Sequence, residues 1–155
     1  MNSLLLGGAP SVGKSESIYR LTMHLLSMGF NDISNSVPPK FEDFRAIIEG
    51  SNKNGKQVRI IINTPTDTVK IINDFKRFFD NNGTYDILIS SIRDDNFWPR
   101  HDFFRIMNLG QNYIFEIPLA KITRRGSSFA ISLNWYQDKV DKLVIQTLSS
   151  NPFDI

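Results

Sequence analysis

The sequence predicts an α/β fold in which helices cover both faces of a mostly parallel sheet of about five strands. Three observations predict it. Short apolar runs that are typical of buried strands alternate along the chain with stretches of helical periodicity. A glycine-containing loop joins the first predicted strand to the first predicted helix. Two strand-like segments around a turn-rich connection predict a β-hairpin near residues 44–62.

The N-terminal elements follow from apolar spacing. Leu4–Leu6 is a short apolar run that predicts a buried strand. A helix is predicted from Lys14 to Met28, because apolar residues recur on one face and Gly29 provides a stop. Residues 30–40 are rich in Asn, Ser and Pro, which predicts an irregular loop.

The central elements are the hairpin and a second helix. Phe44–Glu49 and Gln57–Ile62 are the two predicted hairpin strands, and the second is β-branched enough to be buried in a sheet. The second helix begins after residues 64–67, where Thr66 or Asp67 is the expected cap.

The C-terminal third completes the alternation. Its predicted elements are a strand at Asp86–Ser90, a helix at Pro99–Leu109, a strand at Tyr113–Ile117, a short strand at Phe129–Leu133 and a helix at Trp135–Leu148. Residues 149–155 are expected to be a loose tail.

Length and composition indicate a single globular domain covering residues 1–155. Hydrophobic residues make up 41% and charged residues 22%, and the formal net charge of +2 is spread over dispersed basic residues, so no nucleic-acid partner is indicated. The chain has no cysteine, which excludes disulfides and thiolate metal sites. The N-terminus does not read as a signal peptide, and no segment is apolar enough to span a membrane, so a cytoplasmic protein is expected.

Residues 8–15 carry the main functional signal. They read Gly-Ala-Pro-Ser-Val-Gly-Lys-Ser and fit the pattern G-x-x-x-x-G-K-[ST], between a predicted strand and a predicted helix. At this segment the chain resembles the P-loop nucleoside triphosphatases and kinases. The resemblance implies the three-layer P-loop NTPase fold, and a nucleoside triphosphate with Mg²⁺ as the ligand.

Each residue type in this loop suits phosphate binding. Gly8 and Gly13 allow unusual backbone angles and close approach of an anion, and the backbone of Ala9, Pro10, Ser11 and Val12 completes the cradle. Lys14 is expected to reach the β- and γ-phosphates and to stabilise charge on the transferring phosphoryl group as a catalytic residue. The Ser15 hydroxyl is expected to bind Mg²⁺.

A second metal ligand is sought after the hairpin. Residues 63–67, Asn-Thr-Pro-Thr-Asp, resemble the D-T-x-G turn of GTPases and related ATPases. Asn63 stands where that turn has Asp, and Thr66 stands where it has Gly. Asp67 is therefore the candidate acidic metal ligand, with a helix cap as the alternative interpretation, and Asp94 or Asp95 could also supply metal or base function.

Other candidate site residues are basic. Arg100 is the candidate for neutralising transferred phosphate as a second catalytic residue, with Arg105 nearby. Residues 96–100 partly resemble the D-G-x-P-R segment of nucleoside monophosphate kinases, since Pro99 and Arg100 fit. Lys121, with residues 124–126, forms a basic loop that could hold adenine or close over phosphate, or could be solvated surface.

These features leave three hypotheses for function. The leading one is an ATP-binding, Mg²⁺-dependent ATPase or small-molecule phosphotransferase, and ATP is favoured over GTP because the guanine signature N-K-x-D is absent. The second is a nucleotide-dependent switch or assembly protein that controls a protein partner. The third is a module that binds nucleotide without turnover, which the neutral residue at Asn63 favours.

Overall fold

The computed structural model describes residues 1–95, 97–110, 113–123 and 126–155. Within them the fold is α/β, with one six-stranded mixed sheet and four helices. The elements are β1 (Asn2–Gly7), α1 (Lys14–Ser27), β2 (Asn31–Asp32), β3 (Arg45–Ser51), β4 (Gln57–Asn63), α2 (Val69–Asn81), β5 (Ile87–Ile92), α3 (Trp98–Met107), β6 (Tyr113–Pro118) and α4 (Ser128–Leu148).

The strand order is β2-β3-β4-β5-β1-β6. Strands β4, β5, β1 and β6 pair in parallel, whereas β3 pairs antiparallel with β4 and β2 antiparallel with β3. The predicted hairpin is confirmed as β3–β4. Strand β5 lies between β1 and β4, so the segments after β1 and β5 are direct neighbours at one edge of the sheet.

Helices cover both faces of the sheet. The side chains of β1 show this, because they point alternately to the two faces and are buried on both. Leu4 and Leu6 belong to one apolar cluster with α1 and α4, and Leu5 belongs to another with α2 and α3. In the second cluster Phe75 stacks on Phe103 with ring centroids 6.4 Å apart. Because both faces of β1 are packed, the end of β1 and the start of the following loop are held in place relative to the helices.

Two local predictions were wrong, one in the C-terminal segment and one in the central segment. Residues 129–133 are the first turns of α4, not a strand. Their apolar alternation marks no buried face, since Ile131 is 74% exposed. The cap of α2 is Thr68, whose side chain accepts a hydrogen bond from the Ile71 amide, so neither Thr66 nor Asp67 caps this helix.

The remaining differences concern short or terminal segments. The predicted loop at 30–40 contains the two-residue strand β2, which brings the strand number to six in the described residues. The tail is not loose, because Phe153 and Ile155 are buried in the cluster that contains α1 and α4. A hydrogen bond from the Lys53 amide to the Asp154 carbonyl holds this tail against the hairpin turn.

Candidate functional site

The loop between β1 and α1 has a backbone that few side chains tolerate. The φ angles of Gly8, Ser11 and Gly13 are +142°, +58° and +88°. A Cβ atom at Gly8 would lie 2.7 Å from the Leu119 carbonyl oxygen, whereas one at Gly13 would meet nothing within 4 Å. The loop is therefore tightly packed where it leaves β1 and open where it enters α1. Among the described residues, no side chain caps the N-terminus of α1.

Lys14 lies across this loop. Its Nζ donates hydrogen bonds of 2.6 Å to the carbonyl oxygens of both Gly8 and Ala9, and the residue is only 8% exposed. Burial, and after it the positive charge of Arg93, lower the pKa of Lys14 to about 8, although Asp67 and Asp94 act in the opposite direction. The ammonium group is thus held at the loop with its charge only partly compensated.

Ser15 connects the start of α1 to the segment that follows β4. Its Oγ lies 3.4 Å from the Thr64 carbonyl oxygen, which also accepts a 2.5 Å hydrogen bond from Ser91 Oγ. Thr66 Oγ1 and Ser91 Oγ are 3.0 Å apart. The structure therefore brings together the loop lysine and serine with the carboxyl ends of β4 and β5.

Asn63 is fully buried at the end of β4. Its Nδ2 donates to the Pro65 carbonyl at 3.0 Å and to Ser90 Oγ at 3.2 Å. Within the described ranges its Oδ1 is buried and has no hydrogen-bond partner. Buried acceptors are usually satisfied, so this oxygen is a candidate contact for a ligand or metal-bound water.

Asp67 and Arg93 form an ion pair at the same edge of the sheet. The distance from Arg93 Nη2 to Asp67 Oδ1 is 2.5 Å, and the Asp67 side chain is 55% exposed. The structure thus places the candidate metal ligand near the loop, with one carboxylate oxygen already paired. The Arg93 side chain is 12% exposed, and its Nε and Nη1 are buried without a hydrogen-bond partner in the described residues.

Arg100 is held by a carboxylate on β6. It donates hydrogen bonds of 2.8 and 2.7 Å to the two oxygens of Glu116, and a third of 3.2 Å to the Arg93 carbonyl. The hydrogen bonds to Glu116 raise the pKa of Arg100. Its guanidinium therefore links β6 to the segment after β5, and the expected phosphate contact of Arg100 stays a prediction.

Two other predicted charged residues are already in ion pairs. Asp95 lies 3.5 Å from Arg100, and Arg105 is an exposed residue paired with Asp102 on α3. Asn96, Arg124 and Arg125 lie outside the described residues. The basic-loop prediction is therefore described only at Lys121 and Gly126.

A cavity of about 240 Å³ lies beside the loop, on the β6 side. Its floor is the start of α1, and its walls come from residues 120–122 and from α4. The lining combines apolar and polar residues, and among them are Val12, Leu133, Tyr136, Val140, Glu16, Arg20, Gln137 and Lys121. The cavity is thus contiguous with the loop and has room for a small, partly apolar group.

Sequence reasoning did not single out Arg93 or the contact between Thr66 and Ser91. Arg93 was one residue of a polar stretch, and the contact depends on strand order. A signal was present in the chain, since a polar run follows a buried strand at Asp86–Ser90.

Within the described ranges, no group of three or more His, Cys, Asp or Glu side chains could hold a metal ion. None of the described helices is long and apolar enough to cross a membrane. Comparison with known protein families, with curated proteins and with solved structures found no match to this chain.

Proposed function

We propose that this chain is a P-loop protein that binds a nucleoside triphosphate, ATP in preference to GTP, through residues 8–15, and that it hydrolyses or transfers the terminal phosphoryl group. The observation that carries the proposal is the position of Lys14. A buried ammonium spans a loop whose backbone has positive φ at Gly8, Ser11 and Gly13. Such a backbone directs amide N–H groups at an anion, and the N-terminus of α1 adds favourable partial charge.

The nucleoside has a suitable position beside the loop. The cavity between α1, residues 120–122 and α4 is continuous with Ser11, Val12 and Gly13. A base in this cavity would contact Tyr136 and Val140, while its phosphates extend over the loop. The preference for ATP rests on the missing guanine signature and is tested by base selectivity.

The residues present fit a magnesium ion bound together with phosphates. Mg²⁺ keeps several waters and needs only one or two protein ligands in such sites, so a cluster of acids is not required. Ser15 Oγ would bind the ion directly, and the unpartnered Oδ1 of Asn63 would accept from a metal-bound water. Asp67 would contribute through the oxygen that does not contact Arg93. The metal would supply charge neutralisation of the phosphates.

A nucleotide-binding module without turnover is the second candidate. It is favoured by Asn63, because an amide brings no negative charge to hold the metal or to activate water. The two candidates share the same binding site and differ only in the chemical step. A nucleotide-dependent switch would use the same binding site and would in addition control a protein partner.

The experiment is a binding titration of Mg·ATP, Mg·ADP and Mg·GTP, followed by assays of phosphate release and of transfer to nucleosides and small metabolites. Lys14→Ala is expected to weaken ATP binding by roughly 10- to 100-fold, since it removes a charged hydrogen-bond donor. Lys70→Ala, which removes an exposed lysine on α2, is the matched control and should bind like wild type. Equal ATP affinity in wild type and Lys14→Ala would show that the loop is not the nucleotide site.

A further inference from the structure

The guanidinium of Arg93 has unused hydrogen-bonding capacity in a buried place. Its side chain is only 12% exposed. Nε and Nη1 are buried with no partner in the described residues, although the group pairs with Asp67 through Nη2. The Phe97 ring lies against it, with the ring centroid 5.7 Å from Cζ. Buried donors are normally satisfied, so two unpaired nitrogens on one side chain need an explanation.

The position of Arg93 links it to the phosphate loop. The residue before it, Ile92, accepts a 3.3 Å hydrogen bond from the Gly8 amide through its carbonyl. The charge of Arg93 also acts on Lys14, whose pKa it lowers. The two cations therefore lie near the same region, on segments that follow the adjacent strands β1 and β5.

The strand order determines the direction in which a bound nucleotide would lie across the loop. The cavity lies on the β6 side of β1, and Arg93 and Asp67 follow β5 and β4 on the opposite side. A nucleotide with its base in the cavity and its phosphates over residues 8–13 would run across the end of β1. Its outermost phosphate would then be the one that approaches β5.

We propose that Arg93 is a specificity-determining residue of the phosphate site, and that it binds the outermost phosphate and so distinguishes triphosphates from diphosphates. This inference rests on the proposed function. A guanidinium presents two parallel N–H donors, and this fork matches a phosphoryl group better than an ammonium does. Asp67 and the Phe97 ring hold the fork in place, whereas the loop amides bind the phosphates common to both ligands.

A purely structural ion pair is the competing explanation. Such a pair would tie the end of β5 to the start of α2, and its loss would weaken the whole site. Removal of Arg93 would then lower the affinity for every nucleotide by a similar factor. The two explanations differ in the ratio of triphosphate to diphosphate affinity.

The test measures the affinity of Mg·ATP and Mg·ADP for wild type, Arg93→Gln, Arg93→Lys and Arg77→Gln. Arg93→Gln should weaken ATP binding by roughly 10- to 100-fold and change ADP binding by less than about threefold. Arg77→Gln, which removes an exposed arginine paired with Asp74 on α2, should bind both ligands like wild type. Thermal unfolding of each variant reports whether the fold is retained.

Arg93→Lys keeps the charge without the fork, and it decides the outcome if Arg93→Gln does not fold. It should lose part of the ATP affinity and retain the ADP affinity. Parallel losses for ATP and ADP in either variant, or unchanged ATP affinity in both, would overturn the role of Arg93 and leave the proposed function standing. A different result would overturn the proposed function and this inference with it: wild type binds neither nucleotide, or Lys14→Ala binds both nucleotides as tightly as wild type does.

Discussion

If residues 8–15 bind a nucleotide as proposed, the lowered pKa of Lys14 should make the nucleotide affinity depend on pH in a range where ordinary lysines do not titrate. Burial first, and then the charge of Arg93, brings this pKa to about 8 from 10.5. The ammonium form binds phosphate, and the neutral amine does not. Because the pKa is lowered, the charge is lost as pH rises through about 8, so affinity must fall in that direction.

The size of the effect follows from the titration. With a pKa of about 8, Lys14 is about 90% protonated near pH 7 and about 10% protonated near pH 9. The apparent affinity should therefore fall by roughly tenfold over this interval, which corresponds to about 1.4 kcal/mol. Near pH 9 binding should also take up nearly one proton, since the ligand favours the charged lysine.

Isothermal titration calorimetry at both pH values, in two buffers of different ionisation enthalpy, measures the affinity and the proton uptake. Lys14→Arg is the matched control, because a guanidinium stays charged throughout this pH range. The protonation of the nucleotide itself changes equally in the experiments with both proteins. The ratio of wild-type to Lys14→Arg affinity isolates the lysine. A ratio that stays constant between about pH 7 and pH 9, with no proton uptake, would refute the assignment of Lys14 as a buried, phosphate-binding ammonium.

Three further substitutions test the geometry of the loop and its surroundings. Gly8→Ala should abolish nucleotide binding and lower the free energy of unfolding by about 1–3 kcal/mol, since the φ angle is +142° and the new Cβ would meet the Leu119 carbonyl; titration calorimetry and chemical denaturation measure both. Thr68→Ala should cost about 1 kcal/mol of stability in denaturant unfolding, through loss of the α2 cap, with nucleotide affinity unchanged. Asn63→Asp should lower unfolding free energy by about 1–3 kcal/mol, because a carboxylate cannot donate to the Pro65 carbonyl; unchanged stability would mean that this hydrogen bond does not hold Asn63 in place.

Local sequence patterns were sufficient for the elements that depend on local chemistry. The strand, loop and helix around Gly8–Ser15 follow from glycine placement and apolar spacing, and the β3–β4 hairpin follows from its turn-rich connection. Residues 129–133 could not be predicted in the same way. Their alternating apolar residues suggest a strand, but the helix exposes much of that apolar surface.

The composition of the site depended on contacts that no local pattern contains. The pairing of Asp67 with Arg93 requires β4 and β5 to be adjacent, and the role of Arg93 beside Lys14 requires β5 to be adjacent to β1. Arg100 has the spacing of a phosphate-binding arginine, yet Glu116 on β6 holds both of its terminal nitrogens. The predicted phosphate contact of Arg100 stays a prediction, whereas Arg93, the less exposed of the two arginines, becomes a candidate only once the strand order is known.

The ion pair between Arg93 and Asp67 connects two proposed roles, the metal contact of Asp67 and the phosphate contact of Arg93. Asp67 was the candidate acid for the metal, and its Oδ1 contacts Arg93 Nη2 at 2.5 Å. One carboxylate can serve both groups only if the metal uses its second oxygen, so a metal at Asp67 and an anion at Arg93 would lie on either side of the same side chain. That arrangement would place positive charge from the metal and from the guanidinium on two sides of a terminal phosphate. The neutral Asn63 is consistent with it, because the acidic group sits four residues later, where it also orients the arginine.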